Sequence, residues 1–409
     1  MRVLIVSLYW PPAGGPGVQR PLKLAGHLRE LGTDVHVLAP DNPKWLHRDD
    51  SLTDPAGVTV HRARNIGPRS RRPGEELHGL TGVARARAHS SLAFRRVLVP
   101  DAAVIWNATA IPAARRIARE YDIDVVLTTS PPGSVHFVGA ALARSGWAHW
   151  VADLRDSVAR HSQRRHDIRG EQRLAQLVAK RASAVVCASE AIAEEMRVEG
   201  AGERVRVIGN GADFDEFDGL EYHASSGFRI THTGSFFGAR DPQPFLEALS
   251  RVEGDVVARF VGDFRQRDRE YAESLDLAER IELIPYLPRR EALALQRDSE
   301  ALLLLIPHAG GRGRGVLSGK VFEYLAADRP ILALVPPLGE AARLLQETAT
   351  GTVVDPIDIE GTVGALQELV DRHAAGDLAA SAISPQARRR LSRRTRAQEF
   401  MDVFEEVTS

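Results

Sequence analysis

The sequence is short of cysteine, of lysine and of long apolar runs. Cys187 is the one cysteine among 409 residues. A single thiol forms no internal disulfide and no cysteine-based zinc site, and it fits a reducing compartment. Cys187 lies in the apolar run Ala184–Ala188 and reads as a small core hydrophobe. No apolar run approaches the roughly 18 residues of a membrane-spanning helix. The 53 basic and 54 acidic residues leave a net charge of −1, and 44% of the chain is hydrophobic. That excludes extended disorder and argues against a generally basic nucleic-acid binder. Lys23, Lys44, Lys180 and Lys320 are the only lysines, so 53 − 4 = 49 basic residues are arginine. Base-composition bias accounts for such a ratio. It also makes a lysine inside a motif informative.

What is present is an α/β alternation, over a length suited to two or three domains of about 150 residues. Val3-Leu4-Ile5-Val6 is a buried-strand pattern at the start of the chain. No secretory leader is expected there, and a cytoplasmic setting is. A glycine-rich loop, a helix with Pro21 in its first turn, and the strand Val35–Leu38 complete a βαβ unit. Residues 61–120 differ, with 12 Arg against 4 acidic residues, a local charge of +8. They read as irregular segments and surface helices. Such a face is either simply solvated or an approach surface for an anionic acceptor or for peripheral contact with the inner membrane face. From Asp124 to Ile208 strands and helices alternate again. Residues 214–227 are a polar link. A second alternation follows, with strands expected at 228–232, 257–261, 281–284, 301–306, 330–334 and 352–354. Helices are expected at 242–251, 289–298, 318–327, 339–347 and 359–374. These patterns imply parallel sheets with right-handed crossovers. The expected architecture is two facing doubly wound Rossmann-like domains with a central cleft, 1–213 and 214–385. An Arg-rich closing helix, 386–409, is expected to pack back on the first.

Four constellations carry chemistry. Gly14-Gly15-Pro16-Gly17 follows the first strand and opens a helix, which suits an anion. It lacks the G-x-G-x-x-G spacing, and Ala39-Pro40 stands where a dinucleotide site has its acidic residue. Ser318-Gly319-Lys320 opens a helix, with Ser318 at the N-cap. Its N–H groups, helix dipole and lysine would converge on a phosphate. Glu323, about one turn on, would accept from ribose hydroxyls; a surface Lys–Glu pair is the plainer reading. Thr233-Gly234-Ser235 ends a strand, and Arg240 beyond it offers a second cation for a diphosphate. Asp153-Leu154-Arg155-Asp156 ends another strand. A general base, a sugar-hydroxyl ligand and a structural ion pair are all open for it. Ser130 ends the neighbouring strand, and His136 lies one turn into the next helix, as an acceptor-side or a packing residue. No metal-binding motif and no nucleophile elbow appears.

Taken in order, these motifs resemble the family 4 retaining glycosyltransferases of GT-B architecture. The carriers are Pro11–Gly17 with Val18-Gln19-Arg20, Ser130-Pro131-Pro132, Asp153–Asp156, Asn210-Gly211-Ala212-Asp213, His232-Thr233-Gly234, Val261-Gly262-Asp263 and Ser318–Ala326. The bacterial branch that builds exopolysaccharides and decorates small molecules is the most similar. The resemblance implies transfer of a sugar from a nucleotide-diphosphate donor to an acceptor hydroxyl, with retention and with no metal or other cofactor. The acceptor would be a glycan, a lipid-linked molecule or a small metabolite. It places the donor on the second domain. Arg240 and Lys320 match the diphosphate cations, and Tyr286 with Leu287 the loop framing the base. Glu323 matches the second glutamate of the E-x7-E signature, which holds the ribose. Gly315 stands where the first glutamate belongs, so backbone donors at Ser318 and Gly319 are candidates to substitute. Gly15 and Gly17 would close over the diphosphate. Asp153, where many members carry an active-site histidine, or Asp156 would orient a hydroxyl, with Ser130, His136 and Arg155 on the acceptor side. A same-fold sugar-nucleotide epimerase and an inactive sugar-nucleotide-binding partner protein are the alternatives.

Overall fold

The computed structural model describes residues 1–41, 48–66, 81–83, 98–158, 165–236 and 240–409. Of the basic stretch 61–120, residues 67–80 and 84–97 lie outside the described residues. Two compact units form, Met1–Gly209 with Arg396–Ser409, and Asn210–Thr395.

The first unit holds a seven-stranded parallel sheet: β1 (Arg2–Val6), β2 (Asp34–Pro40), β3 (Thr59–Ala63), β4 (Val125–Ser130), β5 (His149–Leu154), β6 (Ala184–Cys187) and β7 (Val205–Val207). The strand order is β3-β2-β1-β4-β5-β6-β7, with every pair parallel. Its helices are α1 (Pro16–Glu30), α2 (Asn107–Glu120), α3 (His136–Arg144), α4 (Arg165–Arg181) and α5 (Glu190–Val198). Alternate residues of β1 serve opposite faces. Leu4 and Val6 join Trp106, Ile117, Val138 and Leu174 in one core. Val3 and Ile5 join Val18, Leu22, Phe400 and Phe404 in the other. Burial on both faces explains the unbroken apolar run of β1.

The second unit holds β8 (Phe228–Thr233), β9 (Val256–Val261), β10 (Ile281–Ile284), β11 (Ala301–Leu305), β12 (Ile331–Leu334) and β13 (Gly351–Val354). Their order is β10-β9-β8-β11-β12-β13, again all parallel. Its helices are α6 (Gln243–Arg251), α7 (Gln266–Ser274), α8 (Arg289–Arg297), α9 (Gly319–Ala326), α10 (Glu340–Thr348), α11 (Ile359–Ala374) and α12 (Pro385–Leu391). Leu302 and Leu304 of β11 face one core, and Ala301, Leu303 and Leu305 the other. The arginine-rich tail forms α12 and α13 (Arg393–Thr408), separated at Ser392. In each sheet the order reverses at one point, between β1 and β4 and between β8 and β11. In doubly wound sheets ligands sit beyond the strand ends at that switch point.

Three details depart from the sequence reading. The expected closing helix 386–409 is two helices, of which α12 lies in the second unit and only Arg396–Ser409 joins the first, and the division falls after Gly209 instead of residue 213. β3 and α7 carry no clear apolar period; only Asp268 and Ala272 of α7 are buried. Pro21 lies in the second turn of α1, because the helix already begins at Pro16. Proline has no N–H for the carbonyl four residues earlier. That carbonyl belongs to Gly17, and Arg155 Nη1 donates to it instead at 2.7 Å.

Candidate active site

In the first unit the switch point is organised by two arginines. β4 and β5 pair so that Thr129 lies beside Asp153. Asp153 is fully buried. Arg20 grips it side-on, Nε to Oδ2 at 3.1 Å and Nη2 to Oδ1 at 2.8 Å. Thr129 Oγ1 donates to Oδ2 at 2.7 Å. Arg20 also donates to the carbonyls of Gly209 and Ile208 at 2.7 and 2.8 Å. Asp153, expected to orient a hydroxyl, thus accepts on both oxygens from Arg20 and Thr129, and the pair ties α1 to β5. Arg155 spends its donors on the carbonyls of Ser130 (2.7 Å), Gly17 (2.7 Å) and Pro131 (3.3 Å). It fixes the glycine loop to the end of β4. Ser130 is buried, and Asp156 is exposed. Gly15 is the N-cap of α1, with φ +87°. A Cβ on Gly17 would stand 3.1 Å from the Tyr9 ring, so this turn admits no larger residue without displacing Tyr9.

His136 takes the packing alternative. It is fully buried. Its Nδ1 shares a 2.8 Å hydrogen bond with Thr128 Oγ1, which also accepts from Trp150 Nε1 at 2.7 Å. Burial lowers its pKa to about 3, although Asp153 acts in the opposite sense. It stays neutral at ordinary pH.

In the second unit the corresponding strand ends carry cations. β8 runs into Gly234, whose φ is +124°. A Cβ there would stand 2.2 Å from Lys320 Nζ. Only glycine lets the lysine lie across the end of this strand. Lys320 is the second residue of α9. Ser318 holds the N-cap position, but its hydroxyl makes no capping bond, contrary to the sequence expectation. The first-turn N–H groups, with the positive end of the helix dipole, are thus not closed by a side-chain cap. Among the described residues Lys320 Nζ has no hydrogen-bond or ion-pair partner. Burial pushes its pKa well below the ordinary lysine value, Arg240 pushes it further, and Glu323 opposes both. Arg240 is itself lowered by burial, with Tyr324 opposing. Both cations also act on His232, which burial keeps neutral. His232 Nδ1 donates to the Leu303 carbonyl at 2.9 Å.

Glu323 lies further along α9 and accepts from Arg289 Nη1 at 2.9 Å. Arg289 grips Glu216 with two donors, at 2.9 and 2.6 Å. The sequence reading missed both. The signal for Arg289 was its place just past Tyr286 and Leu287, which follow β10 and are half-buried. Gly319, first residue of α9, has open space above it. Among the described residues no group of three or more His, Cys, Asp or Glu side chains is arranged to hold a metal ion. Nor is any helix among them long and apolar enough to cross a membrane.

Residues 14–211 match the glycosyl transferase 4-like domain. No curated protein sequence matches the chain significantly. Solved structures similar to it span nearly its whole length. Sucrose-phosphate synthase from Thermosynechococcus elongatus has a TM-score of 0.70 at 15% identity, over 99% of this chain and 98% of that one. HepE of Anabaena, solved with UDP-glucose, has 0.66 at 14% identity, over 99% and 100%. A glycosyltransferase from Rickettsia africae has 0.64 at 16% identity, over 99% and 98%. Residues 14–211 thus carry a glycosyl transferase 4-like domain, and over its length the chain has the two-unit α/β fold of these glycosyltransferase structures.

Proposed function

We propose that this protein is a glycosyltransferase that takes a sugar from a nucleoside diphosphate donor and passes it to an acceptor hydroxyl with retention of anomeric configuration. The observation that carries the reading is Lys320, a cation with no protein partner among the described residues, lying across Gly234 at the start of α9. A diphosphate supplies the anion that such a cation lacks. Lys320, Arg240 and the N–H groups of Gly319 and its neighbours meet its charge, so the step needs no metal. Glu323 accepts from the ribose hydroxyls, and Tyr286 and Leu287 frame the base. The complex of HepE with UDP-glucose supports a sugar nucleotide as donor.

In the reaction the bond from the anomeric carbon to the diphosphate oxygen breaks. Negative charge builds on the leaving diphosphate, where fixed cations and N–H donors stabilise it. The acceptor oxygen bonds to the same face of the sugar, and its proton passes to a leaving phosphate oxygen. Asp153 supports this assignment, because both its oxygens are already in use. The first unit takes the acceptor, a hydroxyl of a glycan, a lipid-linked molecule or a small metabolite.

Acceptor-dependent release of nucleoside diphosphate from a panel of sugar nucleotides tests the reading. Lys320→Ala is expected to lower turnover by about a hundredfold or more, since one lost charge-stabilising donor costs about 3–4 kcal/mol of barrier. The circular dichroism spectrum should not change. Near-normal turnover in this variant would overturn the diphosphate assignment.

A further inference from the structure

Glu216, Arg289 and Glu323 form a chain of two carboxylates on one guanidinium, drawn from three separate elements. Glu216 lies in the short 3-10 turn Phe214–Phe217, Arg289 is the first residue of α8, and Glu323 is on α9. All three side chains are mostly buried, at 14–18% exposure. The manner of pairing is unequal. Glu216 takes the side-on pair of donors, Nε to Oε1 and Nη2 to Oε2. Glu323 is met from the far side of the guanidinium, by Nη1 through Oε1 alone. Among the described residues Oε2 of Glu323 has no hydrogen-bond partner. Burial would lower the pKa of Arg289, but Glu323 and Glu216 outweigh it and raise the value above that of an ordinary arginine. The guanidinium therefore stays charged.

We infer that Arg289, held by Glu216, is a positioning residue that fixes Glu323 with one oxygen tied and one oxygen presented to a ribose diol. The inference rests on the ribose reading of Glu323 given above and deepens it. Were Arg289 to pair side-on with Glu323, neither oxygen would remain open. Glu216 prevents this by taking the fork first. Were Arg289 absent, two carboxylates would face one another, and one would turn away or take up a proton. Lysine cannot substitute. Its single ammonium has no planar fork to bridge two carboxylates in fixed orientation.

A merely structural role and a positioning role separate on the ribose hydroxyls. UDP and 2′,3′-dideoxyuridine diphosphate differ only in the diol, and calorimetric titration gives both affinities. The wild-type protein is expected to prefer UDP, because a site built to bond a hydroxyl rejects the analogue lacking it. Arg289→Lys should lose about tenfold in UDP affinity, as expected for a charge-assisted hydrogen bond, while dideoxy affinity changes by less than about twofold. Should Arg289→Lys fail to fold, Glu216→Gln makes the same test. It frees the fork to close on both oxygens of Glu323 and should reduce UDP binding selectively. Equal losses for both nucleotides, or no loss, would overturn the positioning role. Glu323→Gln makes the two failures distinguishable. Preference for UDP that survives in Glu323→Gln overturns the ribose reading and the inference with it. Preference lost there but kept in Arg289→Lys and Glu216→Gln overturns the inference alone.

Discussion

Lys320 costs the free protein stability and gains its use only when an anion arrives. Its folded-state pKa lies well below the ordinary 10.5, with burial as the first cause. Between those two values the unfolded chain binds the proton and the folded chain does not. Stability therefore rises with pH through that window. At lower pH both states are protonated, and the cost of burying the charge is present in full. Lys320→Met removes it. The variant should unfold at higher urea concentration than wild type near neutral pH, with the gap closing as pH rises towards 10.5. If the proposed donor site is right, the variant should also lose any stabilisation by UDP seen in the wild-type protein. Urea midpoints measured across that range decide the matter. A variant less stable than wild type at neutral pH would show that Lys320 contributes packing that outweighs its charge.

At the scale of elements, α1 shows how much a local motif reveals and where it stops. The glycine loop, the first strand and the helix were legible because each is a short contiguous pattern. Arg20 stood in the quoted motif, but its partner lies 133 residues away at Asp153. No local period announces such a pair. Thr129, Ile208 and Gly209 were unreadable for the same reason. Glu216 and Arg289 are 73 residues apart, and an arginine in a chain with 49 of them carries little signal by itself. The Ser318 cap failed differently. The residue type was right for the position, yet its hydroxyl makes no capping bond there. The Arg20–Asp153 pair gives this level its prediction. The two side chains are 10% and 1% exposed. Removing one partner of such a pair leaves a buried charge and typically costs about 3–5 kcal/mol. Arg20→Ala should lose that much in urea unfolding. Arg20→Ala with Asp153→Leu should recover most of it, because no unpaired carboxylate remains. A single variant within about 0.5 kcal/mol of wild type would mean the pair contributes no more than a surface bridge.

The whole molecule has one unit made from both ends of the chain. The first unit comprises Met1–Gly209 and Arg396–Ser409, with the second unit continuous in sequence between them. The returning segment is part of the core. Ala397, Phe400, Val403 and Phe404 are all buried, in one cluster with Val3, Ile5, Val18 and Leu22. Phe400 also lies under the Arg20 guanidinium, at 5.3 Å. The first unit therefore reaches its full core only after the second unit's sequence has been made, and such distant contacts form slowly. The units should then respond differently to loss of the tail. A chain ending at Thr395 keeps every residue of the proposed donor site but exposes the face of α1 that Phe400 and Phe404 cover. Deleting one buried phenylalanine side chain costs about 3–5 kcal/mol, so losing two exceeds much of a domain's stability. The first unit's melting transition should vanish or fall far below that of the full chain. The second unit's transition should remain and should still rise with UDP, by about 2.7 kcal/mol at a hundredfold excess over Kd. Calorimetric scans of both chains, with and without UDP, measure this directly. Loss of the UDP-dependent transition on truncation would mean that the tail supports the donor site itself.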